Sequence, residues 1–124
     1  MKPLAILLAF WLALLAWACP PPHESARDTI AFNKGILDSV QADYLEKCTA
    51  NPEQRICQEI NRAGNAHNLA IQALIVYCGS PEFEAGAPCT PPANKEVRKQ
   101  LHDKLKVAVK NLQEIIRNLK EIAQ

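Results

Sequence analysis

The chain has 124 residues, which is enough for one small domain. Its formal net charge of +1 gives no electrostatic bias toward nucleic acid, so we expect no nucleic-acid partner. Five cysteines are an odd number, which leaves one of them outside any complete set of intramolecular disulfides.

The first residues predict an export signal. Met1-Lys2 supplies a positive charge, an apolar run covers residues 4–17, and Ala16 and Ala18 are the small residues that a signal peptidase needs. The run is short for a membrane span, which needs about 20 apolar residues. We therefore expect residues 1–18 to be a signal peptide, with Cys19 as the first residue of the mature protein.

This segment resembles the signal of small bacterial lipoproteins, in which a cysteine follows the cleavage site and receives lipid. The resemblance covers the signal and Cys19 only. It implies an exported envelope protein held on a membrane by lipid on Cys19. Residues 19–24 contain Pro20-Pro21-Pro22 and would form an extended tether. Ala16-x-Ala18 fits an ordinary secretory signal equally well, so a soluble secreted or periplasmic protein, with Cys19 as a free thiol or in an intermolecular bridge, is one alternative. An uncleaved N-terminal anchor is the other.

The other four cysteines predict two disulfides. If the chain between Cys57 and Cys78 is one helix, these residues lie about 31 Å apart at ~1.5 Å per residue. A disulfide requires Cα atoms within about 7 Å, so the two cannot pair. We predict Cys48–Cys57 and Cys78–Cys89, with one disulfide at each end of that helix.

Apolar residues recur at helical spacing in three stretches. The first covers about residues 25–48, beginning at Ser25. The second lies between a cap at Asn51 and a stop at Gly79, and the third runs from about Asn94 to the C-terminus. We predict an all-α domain over residues 25–124, an up-down-up three-helix bundle with two loop-clamping disulfides. The third stretch has a heptad pattern formed by Val97, Leu101, Leu105, Ala108, Leu112, Ile115, Leu119 and Ile122.

Small residues fall at one height of this bundle when the helices are folded back on each other. A glycine inside a helix costs about 1 kcal/mol relative to alanine, so this level predicts close approach of the backbones. The alternative is a small pocket beside His67, near Asn61, Asn65 and Asn68. The residues at this level are Gly35, Ala63, Gly64, Ala66 and Ala108.

No catalytic motif is recognisable. The spacings Cys48-x8-Cys57 and Cys78-x10-Cys89 do not resemble a zinc framework, and the three histidines are scattered. We expect no enzymatic activity, no cofactor and no metal. Phe83, in the second disulfide loop, is expected to plug the end of the bundle, with a partner contact as the alternative.

Charge is distributed unevenly along the chain. Residues 19–93 have five basic and nine acidic side chains, whereas residues 94–124 have eight basic and four acidic ones. Most of the basic residues fall in one row on a helical wheel. The row predicts either a solvated face with i,i+4 ion pairs or a docking surface for an anionic envelope component or an acidic protein. We call this row the basic surface: Lys95, Lys99, His102, Lys106, Lys110, Arg117 and Lys120.

Together these patterns predict an exported, membrane-anchored module of the bacterial cell envelope with an interaction or structural role. The alternative is a soluble periplasmic or secreted bundle that binds a small ligand or inhibits a partner enzyme.

Overall fold

The computed structural model of the protein describes residues 21–124. Their regular structure consists of four helices, which are α1 (Pro22–Asp43), α2 (Leu45–Ala50), α3 (Arg55–Cys78) and α4 (Lys95–Ala123). The predictions of an all-α fold and of two disulfides are confirmed.

The first predicted helix is two helices, because the backbone leaves helical geometry at Tyr44, with φ −107° and ψ 7°. The predicted start at Ser25 is also wrong. Helix α1 begins at Pro22, so residues 22–24, which were predicted to belong to the extended tether, are helical. The carbonyl of Pro21 accepts a hydrogen bond from the Ser25 N–H at 3.2 Å. Proline suits this first position because it has no N–H that needs a partner.

Of the other helix ends predicted from the sequence, those at Gly79 and Asn94 agree with the structure and the one at Asn51 does not. Asn51 ends α2 and does not cap α3, which follows Gln54 without a side-chain cap. Gly79 ends α3 as predicted, in the left-handed conformation with φ 64°. Asn94 caps α4, and its side-chain oxygen accepts hydrogen bonds from the N–H groups of Glu96 and Val97 at 3.0 and 3.1 Å.

The three long helices, α1, α3 and α4, pack against one another around a single core. Where α1 and α4 end, the hydroxyl of Tyr44 donates a hydrogen bond to the carbonyl of Ala123, the last residue of α4, at 3.1 Å. Apolar side chains of all three helices fill the interior, chiefly Ile30, Leu37, Ile60, Ala70, Leu74, Leu105, Leu112, Ile116 and Leu119.

The two disulfides join the pairs predicted from the sequence. Cys48 of α2 is bonded to Cys57 in the first turn of α3, with Cα atoms 5.5 Å apart. Cys78, the last residue of α3, is bonded to Cys89 of the following loop, with Cα atoms 4.3 Å apart. The Thr90 N–H also donates to the Cys78 carbonyl at 2.9 Å, which holds the loop against the end of α3.

The predicted level of close backbone approach is wrong. A Cβ atom built on Gly35 or on Gly64 would meet no atom within 4 Å outside its own helix turn, so neither glycine is required by a neighbouring helix. The prediction that Phe83 plugs the end of the bundle is also wrong, because 44 % of this residue is exposed.

Candidate functional site

Helix α4 orients the basic surface through its apolar face. Leu105, Leu112 and Leu119 are almost fully buried, so the rotation of the helix about its axis is fixed by the core. Every member of the basic surface except His102 is exposed. His102 is partly buried because its ring packs against Tyr77 of α3.

The basic surface lies along the edge of α4 that faces α1. His102, Lys106 and Lys110 line a cleft together with residues in the first two turns of α1. Farther along the helices, Arg117 and Lys120 line a second depression, whose α1 side includes Phe32 and Ile36. Sequence periodicity placed this row opposite the core. The structure shows that it borders the groove between two helices.

The interpretation of the row as a solvated face predicts i,i+4 ion pairs such as Lys110–Glu114 and Arg117–Glu121, and neither pair is formed. Across residues 21–124 the structure contains two ion pairs, Lys34–Asp38 within α1 and Arg62–Glu59 within α3, the latter at 3.8 Å. Neither of them involves α4. The exposed cations of the basic surface therefore have no counter-ion within 4 Å among residues 21–124.

The first cleft has a volume of about 450 Å³. Ala26 of α1 and Leu105 of α4, both buried, form part of its wall. Its α1 side carries no charged side chain, and its α4 side carries Lys106 and Lys110. The arrangement combines an apolar wall with a cationic rim on one edge. The lining residues are Pro22, Ser25, Ala26, Thr29, His102, Leu105, Lys106, Val107, Val109, Lys110 and Gln113.

Pro22, the first residue of α1, also lies in a neighbouring depression of about 520 Å³. Lys95 and Lys99 of the basic surface line the same depression. Its other lining residues are Tyr77, Glu96, Arg98 and His102. The chain therefore enters the fold next to the N-terminal end of α4.

Phe32 is the most exposed of the large apolar side chains in the described part of the chain, at 70 %. It lies on α1 across the groove from Arg117 and Lys120. An exposed aromatic ring beside cations is typical of surfaces that contact a membrane interface or a partner protein.

Two polar residues of the interior were not identified from the sequence pattern. Arg27 is 5 % exposed, and its Nε and Nη2 atoms find no hydrogen-bond acceptor among residues 21–124. Asn33 is equally buried, but its amide donates to the Thr29 carbonyl at 2.8 Å. The periodic pattern treats arginine as a surface residue, although its long aliphatic stem is compatible with burial.

His67 is partly buried on α3. Burial of the ring lowers the pKa of His67 below its ordinary value of 6.5, and the positive charge of Lys34 acts in the same direction. The side chain of Asn68 and the charge of Asp38 act in the opposite direction. The pocket beside His67 stays a prediction.

The predicted signal peptide, residues 1–18, and the predicted lipidation site Cys19 lie outside the described residues. Within residues 21–124, no helix is both long and apolar enough to cross a membrane. The same residues bring together no group of three or more histidine, cysteine or acidic side chains suited to a metal ion.

No protein-family model, no curated protein and no solved structure matches this chain.

Proposed function

We propose that the protein is an exported module of the bacterial cell envelope, held on a membrane by lipid on Cys19. The module docks its basic surface against an anionic surface. One observation carries this proposal: Pro22, where the tether joins the fold, shares a depression with Lys95 and Lys99.

The length of the tether supports this geometry. Cys19 precedes Pro22 by three residues in a proline-rich segment, which would span about 9 Å at ~3.1 Å per residue. Lipid on Cys19 would therefore keep Lys95 and Lys99 within roughly one Debye length of the headgroups, ~8 Å at physiological ionic strength. At that distance each lysine contributes about 1 kcal/mol to attraction by an anionic leaflet.

We further propose the up-down-up arrangement of α1, α3 and α4. It is supported at one end by the Tyr44–Ala123 hydrogen bond and at the other by Pro22 lying beside the first turns of α4. In this arrangement α1 and α4 run in the same direction, and the basic surface follows their shared groove.

Docking along the length of α4 uses the whole basic surface. From Lys95 to Lys120 the surface extends about 38 Å at ~1.5 Å per residue. Phe32 lies on the same side and would enter the interface between headgroups, where aromatic rings are favoured. Lipid on Cys19 would supply the stable attachment, and the basic surface would set the orientation of the module.

Replacement of Cys19 by serine tests the attachment. The Cys19→Ser protein should leave the membrane fraction and keep its helical circular dichroism spectrum, because all four helices of residues 21–124 follow Cys19 in the chain. A Cys19→Ser protein that stays in the membrane fraction after carbonate washing would overturn the lipid anchor.

A soluble exported bundle that binds a small ligand or inhibits an enzyme is the second candidate. It is favoured by the cleft between α1 and α4. The intact mass of the mature protein separates the two candidates, since lipid on Cys19 adds the mass of its acyl chains and a soluble protein has an unmodified N-terminus.

A further inference from the structure

The cleft between α1 and α4 has the form of a binding site for one elongated molecule. Its volume of about 450 Å³ is within the ~300–1,000 Å³ range of small-molecule sites. Ala26 and Leu105 are buried at its wall, and Val109 is partly buried beside them. An apolar group in the cleft would therefore be removed from water along most of one side.

The cleft is elongated and can take up part of one acyl chain. Its α4 side extends from His102 to Gln113, about 16 Å at ~1.5 Å per residue. Lys106 and Lys110 lie near the middle of this length, so roughly 8 Å of the cleft at ~1.5 Å per residue is open to an acyl chain on either side of a head group bound there.

The charges of the rim select an anionic head group. Lys106 and Lys110 are one helical turn apart, which places their Cβ atoms about 5–6 Å from each other. Both line the cleft, both are exposed, and neither forms an ion pair among residues 21–124. The facing positions on α1 are Pro22, Ser25, Ala26 and Thr29, so no carboxylate across the cleft competes for the two ammonium groups.

We propose that this cleft binds one single-chain anionic amphiphile. Its carboxylate or phosphate contacts Lys106 and Lys110, and its acyl chain packs against Ala26, Leu105 and Val109. This inference goes beyond attachment to a surface, because the cleft takes up an individual lipid molecule. It does not depend on how Cys19 is modified.

The test is isothermal titration of the full mature Cys19→Ser protein with lauroyl lysophosphatidylglycerol below its micelle concentration. Two further probes test the acyl chain and the negative charge separately. Lauroyl lysophosphatidylcholine keeps the chain but has no net charge, and glycerol phosphate keeps the charge but lacks the chain. We expect one site for the lysophosphatidylglycerol and affinity at least about tenfold lower for each of the other two probes.

Variants locate the site. Lys106→Glu with Lys110→Glu should weaken binding of the lysophosphatidylglycerol by at least about tenfold, because like charge replaces the charge-assisted contacts. Ser25→Trp should abolish binding by filling the cleft from an exposed position, which leaves the core intact. The matched control is Lys47→Glu with Lys104→Glu, which makes the same charge change at exposed positions outside the cleft and outside the basic surface, and should alter the affinity less than about twofold.

Several results would overturn the inference. They are the absence of binding, equal affinity for the choline lipid, equal affinity for glycerol phosphate, and binding unchanged by Ser25→Trp. Failure of the proposed surface docking would give a different result from failure of this inference. The parent protein would not bind anionic vesicles but would still bind lysophosphatidylglycerol.

Discussion

The rings of Tyr77 and His102 lie with their centroids 5.9 Å apart and their planes inclined by 47°. Tyr77 is buried at the end of α3, and His102 belongs to the basic surface of α4. Contacts between aromatic rings in tilted geometry stabilise proteins by about 0.5–1.5 kcal/mol. This contact joins α3 to α4 beside the depression that Pro22 lines.

The His102→Ala protein should be less stable by about 1 kcal/mol, because the ring contact with Tyr77 is lost. Its vesicle binding should be nearly unchanged, because the five lysines and Arg117 of the basic surface remain. Urea unfolding measures the first effect and vesicle sedimentation the second. A large loss of vesicle binding in a fully folded His102→Ala protein would contradict this assignment.

Two glycine-to-alanine substitutions should have opposite effects. Gly79 has φ 64°, and a Cβ atom there would lie 3.4 Å from the Thr90 carbonyl oxygen, so Gly79→Ala should destabilise the fold by about 1–2 kcal/mol. Gly64 is helical, and a Cβ atom there meets nothing within 4 Å. Gly64→Ala should stabilise by about 0.5–1 kcal/mol.

Thermal and urea unfolding of the two glycine variants, made in the same parent, provide the comparison. Stabilisation by Gly79→Ala would contradict the left-handed cap. Destabilisation by Gly64→Ala would show that another backbone or side chain approaches α3 at this position.

The Arg27→Met protein should be more stable than the parent by about 1–3 kcal/mol, since two buried donors without acceptors are replaced by an apolar side chain of similar length. The control is Arg117→Met, which removes the same charge from an exposed position and should change stability by less than about 0.5 kcal/mol. Destabilisation by Arg27→Met would indicate that the guanidinium has a hydrogen-bond partner in the native protein.

His67 should make stability depend on pH. Because burial lowers the pKa of His67 in the folded protein, the unfolded chain binds the proton more tightly. The contribution of neutral His67 is therefore complete above pH 6.5, the ordinary pKa, and decreases as pH falls below it toward the folded value. The His67→Gln protein should lose less stability than the parent between pH 7.5 and 5.5.

Urea midpoints of the parent and the His67→Gln protein at these two pH values measure the difference. An equal loss in both proteins would mean that other groups cause the pH dependence. A larger loss in the variant would reverse the sign that burial of the ring predicts.

Some parts of this fold that depend on short stretches of sequence could be predicted, although Ser25 and Asn51 do not mark helix starts. Gly79 and Asn94 mark helix ends through backbone conformation and local hydrogen bonds. The pairing of Cys78 with Cys89 follows from the length of the helix between the disulfides. These features need no knowledge of how the helices face one another.

The features that depend on helix rotation could not be predicted. Matching residues by height placed Gly35 at a predicted close contact, but Gly35 is on the exposed side of α1. Arg27 was missed for the same reason, because the pattern alone does not show which flank of α1 is covered by its neighbours. The candidate site, a groove bordered by cations, exists only once α1 and α4 are placed side by side.

The most direct test of surface docking is sedimentation of the mature Cys19→Ser protein with vesicles that contain phosphatidylglycerol, over a range of salt concentrations. The variant reverses Lys95, Lys99 and Lys120 to glutamate, all outside the α1–α4 cleft. The control reverses Lys47, Arg55 and Lys104, which are exposed and outside the basic surface. Docking predicts binding that weakens with salt, a reduction of about 100-fold or more in the variant, and a much smaller effect in the control. Equal losses in the variant and the control, or no binding of the parent at low salt, would contradict it.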